Sequence, residues 1–168
     1  MQLNDISIRT TIKPGDLGYI IHRHGKIYGE EYNYGVAFET YVGEGMHEFY
    51  KSYNPEMDRV WICEHNDKIV GFVLLMHRGN KTAQLRYFYL EPAYRGLGLG
   101  KKLMSLFMDF FYKKGYQSAY LWTTHELSAA ASLYKKHGFK LTESKKSIAF
   151  EKPVIENRYD LSTIPKNY

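Results

Sequence analysis

Leu85-Arg-Tyr-Phe-Tyr-Leu90-Glu-Pro-Ala-Tyr-Arg95-Gly-Leu-Gly-Leu-Gly100-Lys101 reads as a strand, a tight loop and the start of a helix. Its first part, Leu85 to Leu90, is aromatic and apolar, as a buried strand would be. Glu91-Pro92 ends it, because proline has no amide to give a ladder. Gly96, Gly98 and Gly100 then alternate, and a helical run follows at once. Glycine lets the backbone approach a ligand closely and adopt conformations denied to other residues. The amides of a first helical turn are unpaired and carry a partial positive charge. The loop is therefore suited to an anion, above all a phosphate. Arg95, Lys101 and Lys102 add charge around it. A Walker loop would need glycine where Arg95 stands. The dinucleotide fingerprint would need its third glycine at Lys101. The spacing that does fit is Arg95-x-x-Gly98-x-Gly100, of the form (Gln/Arg)-x-x-Gly-x-(Gly/Ala).

The chain has 168 residues, which suits a single domain, 1–168, with a sizeable core. Apolar residues make up 44% and aromatic ones 16%, which argues against disorder. No apolar run approaches transmembrane length, and a signal-peptide core is not expected at the N-terminus. Cys63 is the only cysteine, so no internal disulfide can form, which suits a reducing cytoplasm. The net charge is +5, yet the lysines are scattered and no basic, aromatic-interleaved motif appears. Neither nucleic acid nor membrane is expected as a partner, and part of the charge fits a polyanionic cofactor.

Outward from the loop, alternation predicts a first strand over 6–12. Pro14-Gly15-Asp16 opens a helix whose apolar side is Leu17, Ile20 and Ile21. Gly25 is expected to end it, leaving 24–35 as a loop or broken helix. A second helix is expected over 36–53, interrupted or not at Gly43 and Gly45. Strands follow over 59–64, 68–76 and 82–90, with a hairpin between the first two. The helix after the glycines carries Leu99, Leu103, Leu106, Phe107, Phe110 and Phe111 at helical spacing. A strand over 118–123, a helix over 126–136, and late strands or hairpin arms over 139–142, 147–151 and 156–162 complete the chain.

That order, together with the loop, resembles the GNAT superfamily of N-acetyltransferases over nearly the whole chain. A second segment, Ala130-Ala-Ser-Leu-Tyr134-Lys-Lys-His-Gly138-Phe139, resembles that superfamily's Ala-x-x-Leu/Phe-Tyr-x-x-x-Gly-Phe. The stretch 9–42, with Pro14-Gly15-Asp16, His22-Arg23-His24-Gly25 and Glu31-Tyr32, is similar to the acetyltransferase half of bacterial MarR-type fusion proteins. The DNA-binding half is not expected here, so DNA binding is not carried over. The resemblance implies an α/β (α+β) fold, a mixed, mostly antiparallel sheet of about seven strands flanked by about four helices. It implies acetyl-CoA as acyl donor and a small-molecule or peptide amine as acceptor. The alternative is an acyl-CoA-binding module without turnover. Homodimerisation stays open. One position departs from the pattern: the superfamily often has asparagine six residues before the tyrosine, where this chain has Ser128.

The resemblance assigns Arg95, Gly96, Leu97, Gly98, Leu99, Gly100 and Lys101 to the pyrophosphate loop. It implies that the strand ending at Leu90 splays from its parallel neighbour near Leu121. Phe88, Tyr89 and Leu90 would then meet the pantetheine arm, with an amide near Leu90 polarising the thioester carbonyl. Tyr134 stands where the superfamily has its proton donor to the coenzyme A sulfur; the other reading is a core tyrosine bonded to backbone. Ser128 is a further cofactor contact. Glu31, ahead of Glu30, is the expected base for the acceptor amine, with Tyr28, Tyr32 and Tyr34 lining the same pocket. Both carboxylates would also serve as solvated loop groups. No metal site is expected: His22 and His24 do not share a helix face, and no third ligand is spaced nearby.

Overall fold

The computed structural model describes residues 2–163. In chain order the elements are β1 (Ser7–Arg9), α1 (Asp16–Tyr32), α2 (Val36–Lys51), β2 (Arg59–His65), β3 (Lys68–His77) and β4 (Thr82–Leu90). Then come α3 (Leu99–Lys113), β5 (Ser118–Thr124), α4 (Ser128–Lys136), β6 (Lys140–Ser147) and β7 (Val154–Ser162). The strands form one seven-stranded sheet in the order β1-β2-β3-β4-β5-β7-β6. Every neighbouring pair is antiparallel except β4 and β5.

Alternation along the central strands builds two cores, one on each face of the sheet. Val60, Ile62, Phe72, Leu74 and Met76 face α1 and α2, meeting Ile20, Ile27, Val42, Met46 and Phe49. Trp61, Cys63, Val73 and Leu75 face the other way, meeting Leu99, Leu103, Phe107 and Phe111 of α3. Both helical layers therefore rest on strands that are apolar on both sides, which is why β3 is a continuous apolar run rather than an alternating one. Among the described residues no helix is long and apolar enough to cross a membrane.

Three expectations need correction. Helix α1 does not end at Gly25; it continues to Tyr32 and is capped by Asn33 in the left-handed region, φ 56°. Gly25 is a contact position: a Cβ there would lie 2.2 Å from the Glu39 carboxylate on α2. Its missing side chain draws the two helices together instead of breaking one. Glu30 and Glu31 consequently sit on the last helical turns, not in a loop. Residues 147–151 do not form a strand of their own; β6 runs into Ser147, and a turn carries Phe150 back under α2. Helix α2 is continuous through Gly43 and Gly45.

Candidate active site

β4 and β5 are paired only where Thr82–Gln84 lie beside Ser118–Tyr120. Beyond that point they part. β4 carries a bulge there: Leu74 faces Arg86 and Phe72 faces Tyr89, so Tyr87 and Phe88 together oppose Val73. Tyr87 takes φ 56°, a conformation that costs a bulky residue about 1–2 kcal/mol. A bulge bends its strand and re-aims its side chains. The Glu91 amide donates to the Val70 carbonyl, on the β3 side, at 2.9 Å. Alternation therefore turns the backbone groups of Leu90 and Phe88 to the opposite side, into the gap left by β5.

The glycine loop closes the end of this gap. Gly96 and Gly98 have φ 79° and 89°, and Gly98 is the N-cap of α3. The first intrahelical bond runs from the Lys102 amide to the Gly98 carbonyl at 3.0 Å, so the amides of Leu99, Gly100 and Lys101 come before it. A Cβ on Gly96 or Gly98 would meet nothing within 4 Å, so these glycines answer to backbone conformation and leave open space above the loop. The C-terminal half of α1 is bolted across one side. Arg23 grips Glu91 through two bonds of 2.6 Å, and Arg95 Nη1 meets Glu31 Oε2 at 2.7 Å. Lys152 donates to the Tyr32 carbonyl and to Glu126, each at 2.7 Å, joining the end of α1 to the β5–α4 connection.

Two cavities meet here. A groove of about 690 Å³ runs along the loop, the splayed end of β4 and α4. A smaller cavity of about 100 Å³ lies on the far side of the splay, beneath α1 and α2. They share Tyr28, Phe88, Leu127 and Tyr134 as lining residues. Tyr134 is buried, and among the described residues its hydroxyl has no hydrogen-bond partner. Its ring belongs to the core, but no backbone group holds its hydroxyl. Burial pushes its pKa up, so it keeps its proton throughout the neutral range.

Of the residues expected to hold a cofactor, Phe88, Tyr89, Leu90, Ser128 and Tyr134 line the groove. So do Arg95, Gly96, Leu97, Gly98, Gly100 and Lys101. Leu99 does not: its side chain is in the core, and only its backbone amide belongs to the loop. Glu30 and Glu31 line neither cavity. Glu30 lies 3.7 Å from Lys26 with its side chain 63% exposed, while Glu31 is engaged by Arg95. Tyr28 and Tyr34 line the smaller cavity, whereas Tyr32 lines the groove.

The smaller cavity holds His24 and Tyr34, both considered from the sequence, together with Arg86, Thr124 and Glu156, which the sequence does not single out. His24 Nδ1 bonds the Ile20 carbonyl at 2.8 Å, leaving Nε2 buried without a partner. Burial lowers its pKa to about 4, so the ring is neutral and Nδ1 carries the hydrogen. Tyr34 bonds Thr124 Oγ1 at 2.6 Å, and burial raises its pKa to about 12. Glu156 is the one carboxylate among the described residues lining this cavity, and Arg86 is its one guanidinium. Nothing local in the sequence marks Arg86, Thr124 and Glu156, since they converge from β4, β5 and β7. Among the described residues no three metal-ligating side chains gather.

Residues 25–139 match the description "Acetyltransferase (GNAT) family". The uncharacterised N-acetyltransferase YjgM of Escherichia coli is 31% identical over 113 residues, covering 64% of this chain and 68% of that protein. The spermidine N(1)-acetyltransferase of Thermoplasma acidophilum is 31% identical over 120 residues, 70% of this chain and 73% of that protein. The crystal structure of a GNAT-family acetyltransferase from Staphylococcus aureus Mu50 superposes with a TM-score of 0.76 at 19% identity, over 95% of this chain and 99% of that one, a likeness of fold. The matched span takes in α2, the splayed pair of strands, the glycine loop and Tyr134, and the chain belongs to the GNAT acetyltransferase family as an acyltransferase.

Proposed function

We propose that this chain moves an acetyl group from acetyl-CoA to the primary amine of an acceptor, by direct attack in a ternary complex. The observation that carries the reading is the wall shared by the two cavities, at Phe88 and Tyr134. A donor in the groove and an acceptor in the smaller cavity would meet there without leaving the protein, and holding both reactants supplies much of the barrier reduction.

In this reading the amides of 99–101 and the side chains of Arg95 and Lys101 hold the pyrophosphate at the N-terminus of α3. The backbone groups of Phe88 and Leu90 bond the pantetheine arm, and one of these amides polarises the thioester carbonyl. Ser128, whose side chain is shorter than asparagine, lines the same groove. As the amine nitrogen bonds to the carbonyl carbon, the C–S bond breaks. The Tyr134 hydroxyl then gives its proton to the leaving sulfur and is restored from solvent. The attacking nitrogen must shed a proton. The sequence points to Glu31 as the base, with Glu30 behind it, but the Glu31 ion pair fits a different role, fixing Arg95 beside the loop. Glu156, which lines the acceptor cavity, is the carboxylate we assign to this proton, directly or through water. The lone buried Cys63 suits a reducing compartment such as the cytoplasm.

The test pairs thiol release from acetyl-CoA across a panel of amines with calorimetry on Gly98→Glu. That substitution sets a carboxylate above the loop, where the cavity is open, and imposes a side chain at φ 89°. Acetyl-CoA binding should vanish while the fold survives with a loss of about 1–2 kcal/mol. Unchanged affinity in a folded Gly98→Glu protein would overturn the loop assignment.

A further inference from the structure

Charge around the acceptor cavity is not even. On the α2 side, Glu48 is gripped by two arginines: Arg78 Nη1 bonds one carboxylate oxygen, and Arg86 Nη1 reaches the other at 3.3 Å. The Arg78 hydrogen bond above all holds the Glu48 carboxyl below its usual range, so it stays ionised and the three groups carry one surplus positive charge. Arg78 is further occupied by Gln84, at 2.8 Å. Arg86 is the member that lines the cavity. Its side chain is only 9% exposed, and its guanidinium sits 4.6 Å from the Tyr87 ring and 5.6 Å from the Tyr41 ring. Among the described residues it makes two hydrogen bonds, to Glu48 and to the Tyr41 hydroxyl at 3.3 Å. A guanidinium has five N–H groups, so most of its donors are free. Glu156, which also lines the cavity, is balanced by Lys145 at 3.8 Å. Much of the remaining lining is aromatic, including Tyr34, Phe38 and Phe150.

We propose that the acceptor is an amino acid, an amine that also carries a carboxylate, with Arg86 reading the carboxylate and the aromatic walls holding an apolar side chain. Arg86 and Phe88 are separated on β4 by Tyr87 alone, and both line this cavity. A carboxylate on Arg86 thus leaves the amine of a small amino acid within reach of the junction with the groove. A nearly buried, planar guanidinium with free donors beside aromatic faces suits a carboxylate far better than a polyamine.

This inference rests on the acetyl-transfer reading, and the experiment separates the two. Calorimetry first measures acetyl-CoA binding. The protein loaded with coenzyme A is then titrated with two matched pairs, phenylalanine with phenethylamine and leucine with isopentylamine, and with spermidine. Each pair differs by the carboxylate alone. The amino acid should bind roughly 10- to 100-fold more tightly than its partner amine, the scale of one charge-assisted hydrogen-bond pair. Arg86→Gln should erase that preference, and Arg86→Lys should keep part of it. Glu48→Gln, which adds to the surplus charge, should sharpen it, and this variant carries the test if Arg86→Gln does not fold. Equal or tighter binding of the plain amines or of spermidine would overturn the inference, as would no binding of either amino acid at millimolar concentration. Absence of acetyl-CoA binding would instead overturn the acetyl-transfer reading.

Discussion

Gly45→Ala is the substitution whose outcome depends most directly on the bulge in β4. In the middle of an unobstructed helix, alanine is better than glycine by about 1 kcal/mol. Gly45 is not unobstructed. A Cβ there would lie 1.6 Å from the Tyr87 hydroxyl oxygen, 2.7 Å from Arg86 Nη2 and 2.9 Å from Tyr87 Cζ. Ordinary contact requires about 3.5 Å, so the tip of the ring must retreat by about 2 Å. Tyr87 has little freedom to do so, because its backbone is fixed at φ 56° and its ring packs on Arg86. Overpacking costs about 1–3 kcal/mol, and so large an overlap belongs in the upper half of that range. After the propensity gain, the net loss is about 1–2 kcal/mol. For a domain of this size that is a fall in Tm of about 2–8 °C, read by calorimetry or thermal circular dichroism. The double-mutant cycle sharpens the test. The Tyr87 hydroxyl is buried with no partner, so Tyr87→Phe alone should change stability by no more than about 0.5 kcal/mol. In that background Gly45→Ala should recover at least about 1 kcal/mol, since the closest obstructing atom is gone. A Gly45→Ala protein more stable than its parent, or a coupling energy near zero, would refute the account of how α2 seats on the bulge.

Tyr134→Phe removes a proton and keeps the ring, so acetyl-CoA affinity and Tm should hold while kcat falls by roughly 10²-fold or more. A kcat within a factor of about 2 of the parent would make Tyr134 a packing residue. Glu31→Gln leaves the Arg95 charge unbalanced beside the loop; acetyl-CoA should bind several-fold more tightly, the scale of about 1 kcal/mol for a solvent-screened pair. The acidic limb of its kcat/KM profile should be unchanged, whereas a flattened limb would return the base role to Glu31. Glu156→Gln should flatten that limb instead, and an unaltered profile there would remove Glu156 from the proton path.

The strand, loop and helix around Gly98 could be read from the sequence because every determinant lies within some twenty residues: an apolar run, a proline, glycines in fixed spacing, then a helical repeat. β4 accordingly spans the expected 82–90, and α3 begins at Leu99. The same local reasoning misplaces the end of α1, and the cause is physical. A glycine that breaks a helix and a glycine that lets another element come close look alike in one dimension. Gly25 and Gly45 are of the second kind, one set against Glu39 and the other against Tyr87. A loop over 24–35 would leave Glu30 and Glu31 free of any helix, whereas both lie on the last turns of α1. In the folded chain, Glu31 instead pairs with Arg95, 64 positions away. The smaller cavity lies further still from what a sequence window can report. His24, Arg86, Thr124, Phe150 and Glu156 come from α1, β4, β5, the turn before β7 and β7 itself, and share no spacing. What gathers them is the parting of β4 from β5, which opens the sheet at the point where α1 and α2 cover it. The glycine loop, which we propose holds the donor, can therefore be read from sequence alone, while the smaller cavity, which we propose takes the acceptor, exists only once the sheet has formed.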